Sequence, residues 1–150
     1  MSFLNELFAE LNNDDRELLQ ERLDIVEHKI KFMDKIPVAC LNLDNTTNYH
    51  LSEEILLAGG MNEPDILNAV YIVYHQEGKT LIDLMREVPT LLNPDWQAVK
   101  NNRIILLSDS DGLERNAQRV INMVEDIAEM IHPGYFIFGG EGDKWIRFSL

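Results

Sequence analysis

Three short runs are apolar along almost their whole length: residues 38–43 (VACLNL), 69–74 (AVYIVY) and 104–108 (IILLS). Each is too short for a stable helix, rich in residues that favour strands, and bounded by turn-forming residues. A strand that is apolar on both faces must be covered on both faces, as the strands of a parallel sheet are. Helix-period segments separate the runs. Strands alternating with helices predict a three-layer α/β/α domain with a mostly parallel sheet. A chain of 150 residues is one domain, large enough to bury roughly two-thirds of its unfolded surface.

The other elements follow from periodicity and punctuation. Residues 2–11 read as an amphipathic helix carrying Phe3, Leu4, Leu7, Phe8 and Leu11. Asn12 and Asn13 break it, and Asn13 caps a second helix with Asp14, Asp15 and Glu17 in its first turn. Leu19, Leu23, Val26, Ile30 and Met33 form an apolar seam on that helix, which packs on the domain or pairs with a second copy. A helix over 52–58 stops at Gly59-Gly60, and another covers 80–92 with Leu81, Leu84, Met85 and Val88 on one face. A short helix follows Pro94, with Trp96 as a core anchor. Asp111 and Glu114 form a capping box for the last helix, whose buried side is Leu113, Ala117, Val120, Val124, Ala128 and Ile131. His132, at its C-terminus, is placed to hold a proton and bond the last carbonyls. The tail, GYFIFGGEGDKWIRFSL, reads as a β-hairpin around a Gly-rich turn. If Trp145 and Phe148 lie on an edge strand, that edge can pair with a second copy, a tendency Lys144 and Arg147 oppose.

The formal net charge of −13 excludes nucleic acid and anionic membrane as favoured partners, because both repel such a surface. Cys40 is the only cysteine, so no intrachain disulfide forms, and its apolar run makes it a small buried hydrophobe. The N-terminus has neither a basic stretch nor an uninterrupted apolar one, and no run approaches a membrane span. A cytoplasmic chain without membrane insertion is expected. There is no G-x-S-x-G, P-loop or H-E-x-x-H. Asp109-Ser110-Asp111-Gly112 matches only a fragment of a calcium loop and is better read as helix capping.

The passage PTLLNPDWQAVKNNRIILL (89–107) resembles a Trp-containing stretch in the second lobe of substrate-binding proteins for cobalamin, haem and iron-siderophore ABC transporters. Four other segments resemble the same class III periplasmic-binding-protein superfamily. ERLDIVEHKIKFMDKIPVACLNL is similar to the end of the helix bridging two lobes, running into a strand. SEEILLAGGMN, DILNAVYIVYH and VEDIAEMIHPGYF are similar to the helix, strand and final helix of the second lobe. The resemblance implies that 1–34 is a remnant of the inter-lobe helix and 35–150 a single C-terminal lobe. On that reading a chain without a first lobe is expected. Family members carry a permease-docking acid where this chain has only Glu63 and Asp65, and residues 135–150 extend past the usual end.

In open α/β sheets ligands bind beyond the C-terminal ends of the strands. The loops there bring Asn45, Thr46, Tyr49, His50, His75, Gln76, Glu77, Asp109 and Asp111 forward as candidate ligand-binding residues. His50, His75, Glu77 and Asp109 have the chemistry for Zn²⁺, Fe²⁺ or Co²⁺; the residues name no cofactor. The resemblance implies a non-enzymatic binding or interaction module for a corrinoid, haem or chelated metal. A homodimer is expected, covering the face that met the other lobe and rebuilding a two-sided cleft. Two alternatives stay open: a metal-dependent or chelatase-like enzyme using His50 and His75, and a protein-interaction domain acting through the N-terminal helices.

Overall fold

The computed structural model describes residues 2–109 and 116–149. In chain order the elements are α1 (Ser2–Phe8), α2 (Asn13–Ile30), β1 (Ile36–Leu41), α3 (Ser52–Leu57), β2 (Gly60–Asn62), β3 (Tyr71–Tyr74), α4 (Leu81–Glu87), α5 (Gln97–Lys100), β4 (Ile104–Leu107), α6 (Ala117–Ile131) and β5 (Trp145–Phe148). The strands form one sheet in the order β2-β1-β3-β4-β5. The first four are parallel, and β5 runs antiparallel on β4 with Ile105 opposite Arg147. Strand order reverses between β1 and β3, which opens a crevice beyond their C-terminal ends.

Both faces of the sheet are covered, as the continuous apolar strands require. Val38, Cys40, Tyr71, Val73, Ile105 and Leu107 point into a core closed by α1, α2, α3 and α6. Ala39, Leu41, Ile72, Tyr74, Ile104 and Leu106 point the other way, under α4 and α5. The three-layer α/β/α architecture is the expected one. Helix α6 anchors it, because Val120, Ile121, Val124, Ile127, Met130 and Ile131 are all buried, each burial contributing roughly 1.5–3 kcal/mol. The α2 seam is also used inside the fold: Leu19, Leu23, Val26 and Ile30 join that core, and Met33 packs against it. Arg22 fixes the α2–α6 contact by donating to Asn122 at 2.7 Å and to Glu125 at 2.5 Å. Among the described residues no helix is long and apolar enough to cross a membrane.

Several local expectations need correction. The cap of α2 is Asn12 rather than Asn13; its side chain accepts from the Asp15 amide at 2.8 Å. Strand β1 begins at Ile36 and ends at Leu41, because Asn42 starts a tight turn in which Asn45 adopts φ 64°. The helix expected over 80–92 ends at Glu87 and gives way to a 3₁₀ turn at Val88–Thr90, since Pro89 has no N–H to continue the ladder. Asp111, Leu113 and Glu114 lie outside the described residues; α6 is capped by Asn116, whose side chain accepts from the Arg119 amide at 2.9 Å. The expected hairpin is a single strand. The buried Glu129 carboxylate accepts from the amides of Phe138, Gly139 and Gly140, so those three donors are not available to a hairpin ladder.

His132 also departs from expectation. Its Nε2 donates to the Ala58 carbonyl at 2.9 Å, pinning the end of α6 to the turn that leads into β2. Burial pushes its pKa down, against the protonation expected at a helix C-terminus. Gly59 makes this approach possible. It has φ +90°, and a Cβ there would meet His132 Nε2 at 2.7 Å and Ile30 Cδ1 at 2.9 Å.

Candidate functional site

A pocket of about 210 Å³ opens beyond the C-terminal ends of β1, β3 and β4, at the topological switch point. His50 and Leu51 reach it from the β1–α3 connection, Glu54 from α3, His75 and Glu77 from the loop after β3, and Asp109 from the end of β4. Arg119, Val120 and Met123 close it from the first turns of α6.

The polar side of the pocket is held by a chain of hydrogen bonds. Asn48 is buried; its backbone amide donates to the Cys40 carbonyl at 2.8 Å and its Nδ2 to the His75 carbonyl at 2.7 Å. Its Oδ1 accepts from the His50 amide at 2.9 Å. One residue therefore ties the β1 loop to the β3 loop and presents exposed His50 at the rim. His75 is only 5 % exposed, and its Nδ1 lies 3.0 Å from the Leu107 carbonyl. A carbonyl only accepts, so Nδ1 carries the proton and the neutral ring keeps its lone pair on Nε2. Burial lowers the His75 pKa, which favours that neutral form.

Asp109 is the hub. Its Oδ1 accepts from Arg119 Nη2 at 2.9 Å and its Oδ2 from the Gly78 amide at 2.8 Å, while His75 Nε2 stands 3.9 Å from Oδ1, beyond hydrogen-bond reach. Glu54 is buried on the pocket wall and, after desolvation, helps push the Cys40 thiol up to about 12. Cys40 is thus the inert hydrophobe its sequence context indicated.

Of the sequence candidates, His50, His75, Glu77 and Asp109 meet around the pocket. Asn45 turns away, bonding the Leu91 carbonyl at 3.0 Å and accepting from Tyr74 Oη at 2.7 Å. Thr46 closes a turn with Asp44, Gln76 accepts from the Leu43 amide at 2.9 Å, and Tyr49 stands exposed. Asp111 lies outside the described residues. Among the described residues no three or more His, Cys, Asp or Glu side chains are placed to hold a metal ion. Glu63 and Asp65 serve a local turn, the Asp65 side chain accepting from the Leu67 amide at 3.0 Å. Sequence reasoning missed Asn48, Glu54 and Arg119. An acid on the buried face of α3, and a cation in the first turn of a helix leaving the sheet's C-terminal edge, were the signals for the last two.

Neither a protein-family model nor a curated protein matches the sequence. Solved structures do. An ABC transporter substrate-binding protein from Listeria monocytogenes superposes with a TM-score of 0.63 at 16% identity, covering 86% of this chain and 62% of that one. A periplasmic binding protein from Veillonella parvula gives 0.60 at 17%, over 76% and 48%. Helicobacter pylori CeuE with Ni(II) bound gives 0.59 at 19%, over 81% and 45%. The chain spans less than two-thirds of the length of each. Its fold is that of one lobe of a periplasmic, ABC-type substrate-binding protein, as the sequence resemblance implied.

Proposed function

We propose that this chain is a non-enzymatic binding module that takes a corrinoid, haem or chelated metal by one edge in the pocket beyond β1, β3 and β4. The observation that carries the reading is the pocket's place at the switch point of a substrate-binding-protein fold, with groups of both charge signs converging on it. Arg119 and His50 suit carboxylate or amide oxygens at a ligand's rim; Glu77 and the His75 Nε2 lone pair suit its N–H donors. Size supports edge binding. A volume of about 210 Å³ lies below the roughly 300 Å³ at which pockets begin to enclose a drug-sized molecule, so most of such a ligand must meet a second surface. The Ni(II)-bound neighbour supports a metal complex as cargo. The metal-dependent enzyme fits less well, because among the described residues the ligand set it needs is missing. The interaction-domain reading loses the Leu19–Met33 seam as its surface, since that seam is covered by the chain itself.

The test is isothermal titration with three probes: hemin, cyanocobalamin and the Ni(II)–histidine complex. At least one binds saturably, and His50→Ala, a change at an exposed position, weakens it about tenfold, equivalent to ~1.4 kcal/mol. No uptake of any probe, or uptake indifferent to both His50→Ala and Arg119→Ala, overturns the proposal.

A further inference from the structure

The outer face of α2 carries a second apolar stripe that the core does not use. Leu18 and Ile25, and Phe32 in the turn just past the helix, recur every seven residues and are 56%, 53% and 92% exposed. Tyr135 and Ile137, 56% and 89% exposed, extend the stripe, because Lys29 Nζ donates to the Tyr135 carbonyl at 2.8 Å and holds that segment beside the last turn of α2. Isolated exposed apolar residues are ordinary, but several aligned on one face of a helix mark a contact surface. The charges beside it differ along the helix. Arg16, Glu17, Gln20, Glu21 and Asp24 line an open hollow on its first half, three acids against one cation that donates to the Phe8 carbonyl at 2.8 Å, whereas Lys31 stands over the Phe32 ring at its far end, 5.0 Å from the centroid.

We propose that this face docks on the same face of a second copy of this chain, with the two α2 helices antiparallel about a two-fold axis near Ile25. That arrangement sets Leu18 against the other copy's Phe32, and it carries Lys31 into the acidic hollow beside the other copy's Glu17 and Glu21. On the opposite flank Arg22 is already neutralised by Glu125, so it adds no repulsion there. A two-fold interface is self-complementary, and the end-to-end polarity of this helix meets that condition. The inference does not depend on the ligand pocket. It also has a consequence for it: α2 runs alongside α6, Arg22 meeting Glu125 and Lys29 meeting Tyr135, and α6 leaves the pocket edge of the sheet. Antiparallel α2 helices therefore point the two pockets in opposite directions, and each stays one-sided instead of rebuilding a shared cleft.

Sedimentation velocity across a concentration series tests this on the full chain. The wild type forms a dimer that Ile25→Asp disperses without loss of the folded circular-dichroism spectrum. Glu21→Lys or Lys31→Glu alone raises the dimer Kd about tenfold, because each lost contact occurs twice across the axis and becomes a repulsion. The double variant Glu21→Lys with Lys31→Glu restores the wild-type Kd. A monomer at every concentration overturns the proposal. So does a dimer indifferent to Ile25→Asp, and so does a double variant no tighter than the singles.

Discussion

Replacing Glu129 by Ala tests how the chain is led from α6 to its last strand. The Glu129 carboxylate accepts from four N–H groups: the amides of Phe138, Gly139 and Gly140, and Trp145 Nε1 at 3.0 Å. Gly140 and Trp145 are buried, so water cannot replace the lost acceptor there, whereas exposed Phe138 and Gly139 can be rehydrated. Two orphaned buried donors at roughly 1–3 kcal/mol each, with the cavity left behind, put the loss near 4 kcal/mol. Glu129→Gln keeps an oxygen but turns an NH₂ toward donors, and costs about 2 kcal/mol. Urea unfolding followed by tryptophan fluorescence reads the difference, since Trp145 is itself one of the four donors. Hydrogen exchange at Gly139 and Gly140 localises it. A loss below about 1 kcal/mol for the Ala variant would mean that the carboxylate is a bystander and that β5 is held by its pairing with β4 alone.

Gly59→Ala combines a φ of +90° with a Cβ placed 2.7 Å from His132 Nε2; it costs about 2–3 kcal/mol by thermal or urea unfolding, and a neutral result would refute the tight packing there. His75 and His132 both have pKa values lowered by burial. The unfolded chain therefore takes up protons first as pH falls, and stability is complete above the ordinary histidine pKa of about 6.5 and declines below it; a urea midpoint at about pH 5.5 equal to or above that at about pH 7.5 would contradict this. Cys40, with its thiol pushed up to about 12, does not react with a thiol reagent in the folded protein and reacts fully in urea; rapid native labelling would refute its burial.

Strands β1, β3 and β4 were legible because each contains four consecutive residues buried from both sides, and no solvent-facing position interrupts the pattern. Strand β2 was not. Gly60–Asn62 has no strand-like composition, and it pairs with β1 only because the Ala58–Gly59 turn, clasped by His132, returns the chain alongside. The tail misled for the opposite reason: its apolar run looks like a strand, but a distant acid in α6 takes the amides of Phe138, Gly139 and Gly140. The rim of the pocket followed from the rule that ligands gather at strand C-termini, which located His50, His75, Glu77 and Asp109 together. Side-chain direction did not follow. Asn45 and Gln76 share those loops yet bond back into the fold, and Arg119 enters the site from a helix that was read for its buried side alone.

The pocket's polar groups are bonded to one another, and that sets what a ligand must overcome. Arg119, the strongest anion-binding group present, is held at 2.9 Å by the buried carboxylate of Asp109. An anionic ligand edge approaching Arg119 meets that like charge and must compete for the guanidinium. Asp109→Asn removes the charge while retaining an oxygen that can accept from the Gly78 amide. The guanidinium then offers its donors to the ligand without the Asp109 charge opposing it, a change of about 1–2 kcal/mol for a charge-assisted hydrogen bond at a half-screened site. Hemin, which carries carboxylates, should bind roughly tenfold tighter to this variant, and cyanocobalamin, whose rim is carboxamide, should change little. Equal gains for both probes would trace the effect to loosening of the loop. Weaker hemin binding would show that Asp109 positions Arg119 rather than restraining it, and that the cation reaches its ligand only when held in place.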